Sequence, residues 1–523
     1  MLRREMGMLL LLLGCAAVCR SMEPLGDIHD IHELMAWHDE VFTSSTTVTA
    51  NIRLMGDLVF DTTTSLKMPL GREYKTAFRG IFDGNGHTVS GLTVSTADGA
   101  GLFERIVDAT VKNLVIGKTC SFVSTSGDAG GLSALARGDV FVQNVVNEAD
   151  VKGTRYVGGL FGQVSTGTIS ITSFKNTGNI ASERNENEQS TYSGGMIGYI
   201  GHGTATINGC TNMGNVTAAN MAEKGDAFSG GIIGRSNAFT TVERTMNTGN
   251  ISAESTIRHG YAGGIVGYTS TENATLKSCT NSGHIASKGI QKQSYCGGIV
   301  GYSEDTLDKI TLTSVINEGA VNVSGQQFAT AGGILGRSSS KTTEISEATN
   351  KGRVEASCST DIAYSGGIIG YSEIELTTIT NCVNTGYITM TSQGRDALAG
   401  GIVAYSATTS FSSSLHLSGN VNEGMVEVTN QNYATIGGVV GQSNANITTI
   451  DHSSNKGNVT AQSLTKNAFS GGILGYTRTQ KATITDCQST GHIKATSKEK
   501  SVNVGGIVAF IHSVVETLIL TTV

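Results

Sequence analysis

Proline and tryptophan are almost missing from this chain, with 2 of the first and 1 of the second among 523 residues. Charge is scarce as well: Asp, Glu, Lys and Arg make up 15%, against about 25% in an ordinary globular domain. No lysine or arginine cluster follows the first few residues and the net charge is only -7, which argues against a phosphate-binding surface and against nucleic acid as a partner. Disorder is excluded too, because Ile and Val recur at fixed places. Beyond the leader, no apolar run reaches the length of a transmembrane helix.

Glycine is what the chain has in plenty, 68 residues of it. Glycine pairs begin at Gly130, Gly158, Gly194, Gly230, Gly263, Gly297, Gly332, Gly366, Gly400, Gly437, Gly471 and Gly505. Their steps range from 28 to 37 and are most often 34, as from Gly332 to Gly366 to Gly400. A fixed period of this size means that no unit buries its own apolar face and each must stack on its neighbours. Aligned on the Asn of Asn-x-Gly, the position five before it is apolar in every coil, from Val142 and Ile171 to Ile450 and Ile484. The position four after it is apolar too, from Val151 to Ile493. With the Ile or Leu after each glycine pair, these columns predict an all-β parallel β-helix (β-solenoid) of about 34 residues and three strands per coil. The column from Asn147 to Asn455, with Ser489 in the last place, should pair amide to amide along the axis.

Residues 1–21 read as a signal peptide, with arginines before a short apolar run. Ordinary cleavage after Cys19 or Ser21 competes with a lipobox, Leu12-Leu13-Gly14-Cys15, which in a bacterial source would lipidate Cys15. Residues 22–60 are expected to form an N-terminal cap, a helix started by Asp27 with Ile28, Ile31, Leu34 and Met35 on one face, plus an entry strand. Such a helix stands where the first open coil needs cover against edge association. His29 and His32 lie one turn apart without a complete ligand set, so neither metal nor cofactor is expected. Residues 61–129 supply the first coils, with Asp83-Gly84-Asn85-Gly86 as a tight turn. Asp83 and His87 are read as turn residues, since no third group nearby would orient an acid/base pair. Residues 130–523 form the serial repeats and end mid-repeat: 505–523 aligns on 297–315 as half a unit, which calls for a missing segment or a partner at an open last coil.

The entry ANIRLMGDL at 50–58, then FRGIFDGNGHTVSGL from Phe78, AGLFERIVDATVKNLVIG at 100–117, and serial GGLFG and GGIVGY units together resemble the GLUG-motif proteins. The resemblance runs from Ile28 to the end. It implies a secreted or surface-attached β-solenoid of bacterial or protist type, like the non-catalytic repeat region of certain immunoglobulin A proteases. It implies no peptidase activity, because the zinc motif His-Glu-x-x-His is absent: His32-Glu33 is followed by Leu34, Met35 and Ala36.

Cys210, Cys279, Cys382 and Cys487 share one repeat position, and Cys120, Cys296 and Cys358 lie elsewhere. Neighbours in the shared column are at least two coils apart, about 9.6 Å at ~4.8 Å per coil, beyond the ~7 Å Cα limit of a disulfide. Buried free thiols are expected. Acids do not gather over adjacent coils: Glu304, Asp305, Glu373 and Glu375 are interrupted by Lys341, and Asp451 and Asp486 are one residue out of phase. No catalytic residue is assigned.

The composition and repeats point to a non-enzymatic secreted or cell-surface protein, adhesin-like, binding a surface glycan or protein ligand. The alternatives are a polysaccharide-active lyase or hydrolase of the β-helix type and a structural envelope protein. Five residues after each glycine pair begins, a column contains Tyr199, Arg235, Tyr268, Tyr302, Arg337, Tyr371 and Tyr405. Arg rarely tolerates full burial, so this column is expected to face water, and strict alternation would put Ile197, Ile233, Val266, Val300, Ile369 and Val403 on the same outer side. Tyr268, Tyr302, Tyr371 and Tyr405 are the expected anchors of a contact face. Sequons at Asn215, Asn250 and Asn458 follow the Asn-x-Gly turn and, in a eukaryotic source, would carry glycans.

Overall fold

The computed structural model describes residues 26–521 apart from 44–48, 62–68, 71–76, 187–188, 271–272, 305, 307, 374 and 408–411. The residues read as a signal peptide, Cys15 among them, lie outside the described residues. The chain winds as a parallel β-solenoid, with 13 strands in one sheet, 12 in a second, and the remaining strands in a third that bends around the tube.

The coil from Ile362 shows the plan. Its strands are Ile362–Gly366, Ile369–Glu373, Leu376–Thr380, Val383–Asn384 and Ile388–Ser392. Each pairs in parallel with its counterpart one coil on, as Ile362 with Asp396, Ile369 with Val403 and Ile388 with Val426. The expectation of three strands per coil is therefore corrected to five. The strand before the glycine pair carries no large inward residue: Ala363 continues a fully buried column of alanines from Ala329 to Ala468, and Ser365 is buried beside it. The two-residue strand carries the Asn itself.

The core runs continuously along the axis. Ile368, Ile379 and Ile388, one from each column read in the sequence, are all fully buried. The asparagines form the expected ladder: Asn384 Nδ2 donates to Asn422 Oδ1 at 2.8 Å and also to Gly386 O at 3.0 Å. The ladder ends where Asn455 Nδ2 meets Ser489 Oγ at 3.2 Å. All seven described cysteines are buried and free. The last coil is open to solvent, with Val504 at 51% and Leu520 at 45% exposure.

A helix spans Ile31–Thr43. Asp30, not Asp27, starts it, its Oδ1 accepting from the backbone N–H groups of His32 at 2.8 Å and Glu33 at 3.0 Å. Asp27 and Ile28 instead belong to a strand paired with Arg53 and Leu54, which is why Ile28 reaches the core from outside the helix. Leu34 is buried, and Ile31, Met35 and Trp37 pack against the same core.

Candidate functional site

The glycine pair sets the geometry of the site. A Cβ at Gly366 would lie 1.8 Å from the carbonyl oxygen of Ile369, so only glycine lets the chain turn this tightly between adjoining strands. The outward side chains of those strands then converge instead of diverging. Tyr364 and Tyr371 stand with ring centroids 5.0 Å apart, in a cluster separate from the main core. Outward side chains that meet mark an inward-bent corner, and its repetition makes a backbone groove along the axis that its own rings largely fill: Phe228, Tyr261, Tyr268, Tyr295 and Tyr364 are at most 9% exposed. Eleven coils at ~4.8 Å each give it a length of ~50 Å.

Two columns of side chains form the groove floor. The first is the one expected from sequence, paired coil to coil from Tyr199 through Arg235, Tyr268, Tyr302, Arg337 and Tyr371 to Tyr405. The second comes from the strand before the glycine pair and includes Tyr156, Tyr192, Phe228, Tyr261, Tyr295 and Tyr364. Within this column rings lie face to face: Tyr192 and Phe228 at 4.7 Å, Phe228 and Tyr261 at 4.7 Å, Tyr261 and Tyr295 at 5.2 Å. Across the corner they meet edge to face, Phe228 with Tyr268 at 5.2 Å and Tyr261 with Tyr268 at 5.1 Å.

The arginines belong to the same packing. Arg235 lies 4.6 Å over the Tyr268 ring, and Arg337 lies 4.7 Å over Tyr371 while donating from Nη1 to Tyr295 Oη at 3.0 Å. Nη2 of Arg337 donates to Glu373. Burial pushes the Tyr295 hydroxyl up to about 12, so it stays neutral and able to donate. Other hydroxyls are held at the rim: Asn237 Nδ2 donates to Tyr199 Oη at 3.1 Å and Asn444 Nδ2 to Tyr405 Oη at 2.8 Å.

The expected apolar stripe is not there. Ile197, Ile233, Val266, Val300, Ile369 and Val403 are at most 2% exposed and belong to the core. The reason is a one-residue irregularity: Ile197 and Tyr199 pair with Ile233 and Arg235, but Gly198 between them has no register partner. Gly234 drops out of the same ladder opposite it, so no residue is extra, but the interruption at this glycine in each coil breaks the alternation and sends positions two apart to opposite faces. Tyr268 is correspondingly only 5% exposed, and its column lies half-buried in the groove instead of standing free in water. The aromatic two places before seven of the twelve glycine pairs, as in Tyr192-Ser-Gly-Gly and Tyr364-Ser-Gly-Gly, was the sequence signal for the missing column.

At the N-terminal end the floor changes character. Glu104 stands where later coils have Gly162, Gly198 and Gly234, and Arg105, Leu135 and Gln163 precede Tyr199 in the other column. Without rings to fill the corner, a cavity of about 310 Å³ opens, lined among others by Asp98, Glu104, Arg105, Asp128, Arg155 and Gln163. Arg155 holds Asp128 with two bonds of 2.9 Å and lies 4.5 Å over the ring of Tyr156, where the ladder begins. The sequence signal was Gly-Leu-Phe-Glu at 101–104 against Gly-Leu-Phe-Gly at 159–162.

Elsewhere the sequence candidates separate. Asp83 accepts from Asn85 N at 2.9 Å and Asn113 Nδ2 at 3.1 Å, while His87 faces Asp57 at 3.3 Å, so the two make no acid/base pair with each other. Asp451 and Asp486 do come together, both on His452, at 3.0 and 3.6 Å. Among the described residues no group of three or more His, Cys, Asp or Glu is arranged to hold a metal ion. Asn215, Asn250 and Asn458 are exposed, each carbonyl oxygen accepting a backbone N–H from the next coil.

No protein-family profile and no curated protein matches the chain. Among solved structures it is similar to a crystal structure described as a "putative immunoglobulin A1 protease" from Bacteroides ovatus, at 14% identity and a TM-score of 0.34. The match covers 64% of this chain and 77% of that one. A likeness of this size says nothing about activity.

Proposed function

We propose that the chain is a non-enzymatic, exported β-solenoid of the GLUG-motif kind that binds an extended surface glycan or protein ligand along its concave groove. The observation that carries this reading is the double column of Tyr, Phe and Arg kept outside the tube over successive coils. A tube needs no aromatic ladder beyond its own core, whereas the half-buried Tyr199, Arg235, Tyr302, Arg337, Tyr371 and Tyr405, held rigid by the buried rings beneath them, make a pre-ordered contact surface that loses little entropy on binding. The ring faces stack on one another, so a ligand would meet ring edges, hydroxyls and rim amides. The Ile31–Thr43 helix covers the entry coil in this reading. In a eukaryotic source Asn215, Asn250 and Asn458 carry glycans.

The test is binding of the secreted full-length chain to arrays of glycans and extracellular-matrix proteins. Ser339→Arg places bulk and charge at the groove rim, where the Ser339 hydroxyl lies 3.3 Å from Tyr302 Oη, and leaves the bonds of Arg235 and Arg337 in place. The reading requires binding by the wild type, loss of at least tenfold in the Ser339→Arg variant, and an unchanged melting temperature. Undiminished binding would remove the groove, and release of new chain ends from any array-positive polysaccharide would remove the non-enzymatic reading.

A further inference from the structure

We infer that the cavity at the first coils is a sugar site, taking the terminal unit or two of a neutral glycan whose chain continues over the aromatic floor. The inference rests on the reading of the groove as a binding surface.

The first observation is positional. Phe103 pairs with Ser133 and Ser133 with Phe161, so Glu104 falls in a column that Ala134 and then Gly162, Gly198 and Gly234 continue. In that column the only charged residue is the one at the groove's end. Its carboxylate is well shielded, the residue being 6% exposed, and lies 3.5 Å from Arg105 Nε while lining the cavity.

The second is chemical. Carboxylates accept from hydroxyls, and guanidinium forks and the Gln163 amide donate to them, which is the pattern that vicinal diols satisfy at both ends. Asp98, Glu104 and Asp128 stand against Arg105 and Arg155, so neither a polyanion nor a polycation is favoured. The volume, about 310 Å³, lies at the lower end of small-ligand sites, which suits a sugar or two.

The third is continuity. Arg155 is pinned by Asp128 and packs on Tyr156, and Tyr156 stacks on Tyr199 at 4.7 Å. A chain leaving the cavity passes directly onto the ladder.

The experiment is titration calorimetry of the full-length chain with neutral hexasaccharides of glucose, mannose, galactose and N-acetylglucosamine, and with a uronic-acid hexasaccharide as the charged comparison. Glu104→Gln keeps the shape, and Glu104→Gly restores the residue of later coils, so folding should survive in both and is checked by melting. The expected result is binding of at least one neutral hexasaccharide, weakened tenfold or more in both variants. Equal affinity for wild type and variants would overturn the cavity site and leave the groove standing. Tighter binding of the uronic-acid chain would overturn the neutral class. No binding of any hexasaccharide would overturn the sugar site, while array binding of protein ligands would still support the groove.

Discussion

A Cβ on Gly367 would lie 2.5 Å from Cγ of Asn384 and 2.0 Å from the carbonyl oxygen of Gly401. The two recurrent motifs of the chain, Gly-Gly and Asn-x-Gly, are thus two sides of one contact. The first glycine makes the corner, the second lets the asparagine ladder approach it, and the groove follows from both. Gly367→Ala is therefore expected to cost about 3 kcal/mol, the upper part of the usual overpacking range, because the clashing partner is backbone. Gly506, with nothing within 4 Å of a Cβ, is the control, and its Ala variant should change the unfolding free energy from urea denaturation by less than about 0.5 kcal/mol.

Asn384→Ala removes the acceptor of Asn350 Nδ2 and the donor to Asn422 Oδ1, both at 2.8 Å. Each buried group left unpaired costs about 1–3 kcal/mol, so a loss of about 3 kcal/mol is expected from chemical denaturation. A loss below about 1 kcal/mol would mean that the ladder is incidental.

Tyr268→Ser should lower stability by about 3 kcal/mol, since a large ring packed between Tyr302 and Arg235 is removed. Tyr268→Phe keeps the ring and should cost less, about 1.5 kcal/mol, for the lost hydroxyl bond to Glu304. Loss of binding in the Ser variant alone would therefore not identify an anchor, and rim substitutions are the cleaner probe of the groove.

Burial pushes the thiols of Cys210 and Cys279 up to about 11 and that of Cys382 up to about 12. A thiolate-dependent reagent at pH 8 should leave the native cysteines unmodified and label them all in denaturant. Fast labelling of any of these three in the native state would contradict their placement in the core.

The hydrogen bond that His452 Nδ1 donates to the Asp451 carboxylate, with the charge of Asp486, raises the His452 imidazole above its ordinary 6.5. A histidine raised on folding contributes stability that is fully present below about pH 6.5 and lost as pH rises through the folded value. Proton titration by NMR should give a midpoint above 6.5 that falls in Asp451→Asn, with His416 as a neighbour of Asp451 to be followed in parallel. A midpoint below 6.5 would contradict the contact.

Periodicity made the solenoid readable, because Ile379 and Ile388 belong to columns that repeat once per coil and end in the core. The asparagine ladder was readable for the same reason. What sequence did not disclose was the side on which a residue falls once the pairing is interrupted at Gly198 and its equivalents, so the Ile369 column was expected outside and lies inside. The strand carrying Tyr364 was hidden because its inward residues are small, Ala363 in a column of alanines and Ser365 next to it, and leave no column of large apolar side chains. Glu104 was hidden by its company, a single departure from glycine in a segment dominated by strand residues. Likewise, a turn placed Asp451, His452 and Asp486 together although their positions were out of phase along the chain.

Hydroxyl-radical footprinting of the full-length chain, with and without a ligand found on the arrays, measures most directly whether the groove is the working face. The account predicts protection confined to the rim and floor, at Asn237, Tyr302, Ser339 and Glu373, together with Arg105 and Gln163 if the ligand is a neutral glycan. Protection on the outer face of the Ile388–Ser392 sheet, with the groove residues unchanged, would contradict it.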